Sequence, residues 1–149
     1  MKIIAALGKV AVISAFAVLA GCASVNKAPP EADSAAKTFQ PKAGVAQIYV
    51  YRNESLGAAL SMPVAVDGKL AGSTGPNSYF KFDLPAGKHH ITSQGDGSAL
   101  DVDTEAGKLY FVWQEVKMGV MSGGSKLQLV DAEKGKKGVS ECSLIQANP

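Results

Sequence analysis

Few residues in this 149-residue chain could do chemistry. There are two histidines, His89 and His90, and two cysteines, Cys22 and Cys142. Neighbouring residues on a strand point to opposite faces, so the two imidazoles are poorly placed to share one metal. A metal would need further ligands, and no Cys/His cluster of zinc-site spacing supplies them. Asp101 and Asp103 alternate along one strand face, with Asp96 before them and Glu105 beyond. Calcium takes about six to eight oxygens from a curved loop, which a straight strand does not provide, so these carboxylates read as a solvated face. Gly119-Val120-Met121-Ser122-Gly123-Gly124-Ser125-Lys126 superficially resembles a phosphate loop. Such a loop needs Gly-Lys-Ser/Thr opening a helix, whereas here Ser-Lys leads into a strand-like run. No serine sits in a nucleophile elbow. Cys142 has no partner in a C-x-x-C pair and reads as a small buried hydrophobe. No catalytic residue, metal or cofactor is therefore expected. The alternative is a small-ligand receptor or enzyme with a site assembled across strands near His89 and His90.

The N-terminus carries a clearer signal. Lys2 and Lys9 precede Val10–Ala20, an 11-residue run of small and apolar residues broken only by Ser14. As a helix that run spans about 17 Å, short of the roughly 30 Å of a bilayer core. It fits an export signal better than a permanent span. The segment closes Leu19-Ala20-Gly21-Cys22, which resembles the lipobox of bacterial lipoproteins. The resemblance implies cleavage between Gly21 and Cys22, a diacylglycerol on the Cys22 sulfur and an acyl chain on the freed amine. More than one chain is what makes such an anchor stable. Ala23 rather than aspartate follows the cysteine, which in enteric-type bacteria implies the outer membrane, with the protein facing the periplasm. Lys2 and Lys9 account for two of the 15 basic residues, so residues 22–149 carry 13 basic against 13 acidic. A neutral chain offers no electrostatic reason to expect nucleic acid.

The remaining elements must position whatever the chain does. Residues 22–43, which begin at the lipidated cysteine, hold Pro29, Pro30 and Pro41 and almost no large apolar residue beyond Val25 and Phe39. They read as a flexible linker, with a short helix at Glu31–Lys37 having nothing obvious to pack on. From Gly44 to Pro149, short β-prone runs alternate with turn residues, as in a sandwich. The strands are expected at 46–52, 62–66, 69–73, 78–84, 88–94, 99–104, 108–116 and 126–130. Ile48 and Val50 alternate with Tyr49 and Tyr51, so both faces of the first strand are apolar, which suits an interior position. Asp67-Gly68 marks a tight hairpin. Lys117–Ser125 reads as a glycine-rich loop. Asp131 is placed to cap a short C-terminal helix, weakened by Gly135 and Gly138. The expectation is an all-β fold: a small sandwich of about seven or eight antiparallel strands.

Several segments together resemble the DUF2846 family of bacterial lipoprotein domains. They are Ile48-Tyr49-Val50-Tyr51-Arg52, Val64-Ala65-Val66-Asp67-Gly68 with Gly72, and Tyr79-Phe80. Leu84-Pro85-Ala86-Gly87-Lys88-His89, Glu105-Ala106-Gly107-Lys108-Leu109-Tyr110-Phe111 and the late Cys142 complete the pattern. The resemblance implies a β-sandwich and carries no catalytic residue. The expected function is a membrane-tethered, non-catalytic domain that binds or scaffolds an unidentified envelope protein.

Overall fold

The computed structural model describes residues 25–119 and 123–149. Gly21 and Cys22 lie outside the described residues, as do Val120 and Met121. Helix α1 (Pro30–Ala36) comes first. Nine strands follow: β1 (Ala46–Arg52), β2 (Met62–Val66), β3 (Lys69–Thr74), β4 (Ser78–Leu84), β5 (Gly87–Thr92), β6 (Ala99–Thr104), β7 (Leu109–Met118), β8 (Gly123–Val130) and β9 (Ser143–Leu144). Helix α2 (Ala132–Ser140) lies between β8 and β9. One sheet has the order β8-β7-β1-β4-β9 and the other β3-β2-β5-β6. The fold is an all-β sandwich with helices added. Among the described residues no helix is long and apolar enough to cross a membrane.

Hydrophobic alternation places the strands. Ile48, Val50, Phe80, Val112 and Leu127 point from the five-stranded sheet toward Val64, Ala71, Ile91 and Val102 of the other, forming the inter-sheet core. The opposite face of β1, β4 and β7 is aromatic: Tyr49, Tyr51, Tyr79 and Phe111 form a second core with Ala36, Val139 and Cys142. β1 is thus covered on both faces and sits at the centre of its sheet. Asp67 and Gly68 both take positive φ, 51° and 81°, which the two-residue hairpin requires. The Asp131 carboxylate accepts from the Lys134 backbone N–H at 2.8 Å, capping α2.

Three expectations are corrected. The strands are not all antiparallel: β1 pairs with β7, and β4 with β9, in parallel. After β1 the chain visits the second sheet twice, through β2–β3 and through β5–β6, and returns beside β1 on alternate sides. The second return brings β7 in parallel. Next, the segment 25–43 is no free linker. Lys27 bridges Ile145, and the Tyr49 hydroxyl donates to the Ala36 carbonyl at 2.7 Å. Phe39 packs 5.6 Å from Tyr49 and 5.9 Å from Phe111, centroid to centroid. An aromatic sheet face left bare would be a large apolar patch, and a helix rich in alanine is thin enough to cover it closely. Pro30 is tolerated because it occupies the first turn of α1, where the N–H has no helical partner. Finally, β7 and β8 extend to Met118 and Gly123, so the glycine-rich connection is shorter than expected.

Candidate functional site

The histidines lie on β5, facing opposite ways. His89 is buried, with Nδ1 2.6 Å from Asp67 Oδ2 and Nε2 2.6 Å from the Pro85 carbonyl oxygen. The other Asp67 oxygen accepts from the His90 backbone N–H at 2.8 Å. The His90 side chain is exposed, with Nδ1 2.5 Å from Asp101 Oδ1. Asp67 therefore ties the β2–β3 hairpin to β5, and His89 ties both to the turn before β5. Two ring nitrogens that both face acceptors are already engaged, leaving His89 poorly placed to take a ligand.

This arrangement predicts a pH dependence. Burial pushes the His89 pKa down, but its bonds to Asp67 and Pro85 outweigh burial and leave it raised above 6.5. The bonds from His89 and His90 hold the Asp67 carboxyl below 3.8. The His89 contribution is complete below its unfolded-state value of 6.5 and is lost as pH rises through the raised folded value. The Asp67 contribution is present above 3.8 and is lost as pH falls through the lowered one. The pair therefore stabilises most between those two ordinary values. Asn tolerates the left-handed turn position, so Asp67→Asn isolates the pairing. The Asp67 side chain is 47% exposed, which screens the interaction, so the variant should lose about 1 kcal/mol near pH 5. It should lose clearly less near pH 9. Urea titrations at the two pH values check this; an equal loss at both would rule out the ionic pairing.

The carboxylates expected on a solvated face are dispersed. Asp101 meets His90, Glu105 meets Lys108 at 2.5 Å, and Asp103 is exposed. Among the described residues no three His, Cys, Asp or Glu side chains converge as metal ligands would.

Two clefts open on the aromatic side. The larger, about 550 Å³, lies between α1 and the β1–β4 pair, lined by Ala32, Ala36, Gln47, Tyr49, Lys81 and Asp83 among others. Its polar groups satisfy one another: Asp83 accepts from Lys81 at 2.7 Å and from Gln47 at 3.4 Å. Next to it, Asp33 on α1 accepts from the Tyr79 hydroxyl at 2.7 Å, Lys37 at 2.9 Å and the Leu144 N–H at 3.0 Å. Burial raises the Asp33 pKa, yet those three bonds outweigh it and leave the carboxyl below its ordinary value. Asp33 thus clips α1 to β4 and β9. The smaller cleft, about 220 Å³, is lined by Tyr51, Asn53, Trp113, Lys134, Gly138 and Glu141 among others. Lys134 Nζ sits 4.2 Å from the centroid of the Trp113 ring. Beneath it Cys142 is buried, its thiol donating to the Gly138 carbonyl at 3.2 Å and lying 3.4 Å from the Arg52 carbonyl. Burial first, then the Glu141 charge, pushes the thiol up to about 12. It stays protonated at ordinary pH and is a poor nucleophile.

The residue that sequence reading missed is Arg52. It is 0% exposed. Its guanidinium donates to the carbonyls of Leu60 at 2.7 Å, Gly57 at 3.0 Å, Leu56 at 3.2 Å and Thr74 at 3.3 Å. Arg52 shares the inward phase of Ile48 and Val50, and that phase was the available signal. Nearby, Gln114 donates to Ser93 Oγ at 2.8 Å and its amide oxygen accepts from Thr74, all between the sheets. These groups organise the loop 53–61 and the core beneath it.

The last feature is a seam where the two ends of the described chain meet. The Ala28 N–H donates to the Leu144 carbonyl at 2.9 Å, and the Gln146 N–H to the Asn26 carbonyl at 2.8 Å. The Asn148 N–H donates to the Ala71 carbonyl at 2.6 Å, joining the seam to β3. Val25 packs against the inter-sheet core. The sequence therefore has only Ala23 and Ser24 between Cys22 and a residue already seated on the domain.

The family profile described as Protein of unknown function (DUF2846) matches residues 42–125. A Haemophilus influenzae protein described as uncharacterized is 34% identical over 139 residues, covering 91% of this chain and 83% of its own length. The chain belongs to the DUF2846 family. No solved structure matches it. On the structure, the matched residues run from just before β1 into the start of β8. The DUF2846 match thus includes Arg52 and the Asp67–His89 turn, whereas α1, α2 and β9 lie outside it.

Proposed function

We propose that this chain is a bacterial envelope lipoprotein, acylated on Cys22 after cleavage behind Gly21. It is held at the outer membrane facing the periplasm, where its non-catalytic sandwich binds or scaffolds an envelope protein. The observation that carries this reading is Leu19-Ala20-Gly21-Cys22 placed directly after an 11-residue apolar run. The pinned histidines, the dispersed acids and the buried, protonated Cys142 support a binding role over a catalytic one. The clefts beside α1 and α2 offer a partner concave surfaces.

Intact mass and membrane fractionation of wild type and Cys22→Ser test the anchor. The wild-type mass should equal residues 22–149 plus one diacylglyceryl group and one N-acyl chain, and the protein should sediment with outer membranes. Cys22→Ser should lack the acyl mass and leave that fraction. A wild type that is unmodified and soluble would remove the proposal. Photo-crosslinkers placed at Asn53 and Lys81 in living cells then test the partner, with one discrete acyl-dependent adduct expected.

A further inference from the structure

We propose that one edge of the sandwich, formed by the β2–β3 hairpin and the C-terminal segment, rests on the headgroup layer of the bilayer that holds Cys22. This deepens the lipoprotein reading and rests on acylation of Cys22.

The first observation is reach. Cys22 and Val25 are three Cα–Cα steps apart, which caps their separation at about 11 Å whatever the conformation between them. Val25 is packed on the core, so the domain cannot stand off as a 21-residue tether would let it. The second is direction. Lys27 pairs with Ile145 in antiparallel sense, so the chain running back from Lys27 toward Cys22 heads along Gln146 and Ala147. Asn148 is bonded to β3, which brings that exit beside the β2–β3 hairpin. The third is the surface found there. A cleft of about 190 Å³ lies between the hairpin and the C-terminal segment, with Val66, Leu70, Phe82, Leu84 and Ala147 on its walls. Leu70 is 54% exposed. Lys69 lines the same cleft, and Lys27 sits in the seam; both are exposed. Asp67 also lines it, its carboxylate paired with His89. An apolar opening with one lysine on its wall and another in the adjoining seam is the chemistry that a phospholipid surface complements: acyl chain boundary for the leucine, phosphate for the ammonium groups. A partner protein is the other occupant such a cleft could take, but the short reach to the anchor favours the lipid.

Consequently the opposite edge is turned away from the bilayer. β3 packs near β4 and β6 near β8, so β6 and β8 form the far side of the sandwich. Leu129 on β8, 52% exposed, is the matched control for Leu70.

The test uses the full lipidated protein in vesicles of phosphatidylethanolamine and phosphatidylglycerol containing some lipid with a nitroxide on its headgroup. Leu70→Cys and Leu129→Cys are each labelled with a fluorophore. The native cysteines do not interfere: Cys22 is acylated and Cys142 is buried and protonated. With the anchor within about 11 Å of the domain, the label at 70 should be quenched about threefold more strongly than the label at 129. Inserting about 15 Gly/Ser residues between Ser24 and Val25, roughly 20 Å of added coil, should bring that ratio toward one. Equal quenching at 70 and 129 without the insertion overturns the orientation. A ratio that survives the insertion overturns the short tether as its cause. Intact mass separates the two levels: an unacylated protein refutes the lipoprotein reading itself, whereas an acylated one with equal quenching refutes only the orientation.

Discussion

Changing Gly135 and Gly138 to alanine should destabilise the domain, each by about 2 kcal/mol, although alanine is the better helix former. In an exposed helix each exchange would gain about 1 kcal/mol. Here a Cβ at 135 would lie 2.1 Å from Phe111 Cγ and 2.3 Å from its Cβ, and a Cβ at 138 would lie 2.2 Å from Tyr51 Cε2. The Phe111 atoms are close to the backbone and cannot swing aside, so α2 must lift from the sheet. Overpacking of this kind costs about 1–3 kcal/mol, and such severe contacts belong at or above the top of that range, which outweighs the propensity gain. Lys137→Ala, on the exposed side of the same helix, should move stability by less than about 0.5 kcal/mol. Urea denaturation of the three single variants checks the order. If either glycine variant were more stable than wild type, α2 would not be seated on Phe111 and Tyr51.

Arg52→Ala should cost more, about 3–5 kcal/mol. The guanidinium is wholly buried and serves four backbone carbonyls, three of them in the loop 53–61. Hydrogen bonds from a charged donor contribute about 1.5–3 kcal/mol each when lost singly, and the truncation also leaves a large cavity. Losses at one centre overlap, so the total falls well below their sum. Arg52→Lys keeps the charge but not the planar fork that reaches separate carbonyls, and should fall between alanine and wild type. Hydrogen exchange should show faster opening across residues 53–61 in both variants. An Arg52→Ala protein within about 1 kcal/mol of wild type would show that solvent replaces the arginine at those carbonyls.

These two positions show where local pattern stops being informative. Gly135 and Gly138 look like helix weaknesses because propensity is a property of an isolated helix. Their value lies in what α2 approaches, and Phe111 and Tyr51 are distant in sequence. Arg52 looks like the polar end of a strand, and its inward phase gains meaning only when the loop 53–61 folds over it. The histidines went the other way. Alternation alone separates His89 from His90, and the structure agrees, but the Asp67–His89–Pro85 tie depends on β2 pairing with β5 in one particular register.

Most strands were legible because their alternation is a local consequence of the pleat: β1, β2, β4 and β6 begin and end where the period-two pattern does. The Asp67-Gly68 hairpin and the Asp131 cap are equally local, since each depends on a few neighbouring dihedrals. Strand direction was not legible. The parallel pairing of β1 with β7 arises from connections spanning the second sheet, and nothing within either strand encodes it. The docking of the segment from Val25 to Phe39 is hidden for the same reason. By composition it cannot form a core of its own, yet it does not need to, because the aromatic face of β1, β4 and β7 supplies one. Sequence alone determined the strand phases, the tight turn and the cysteine behind an apolar run, since each is written in consecutive residues. Only the tertiary structure decided that the domain already includes Val25, three residues after that cysteine, because the seam holding Asn26 to Ala28 is built from residues more than 100 positions away.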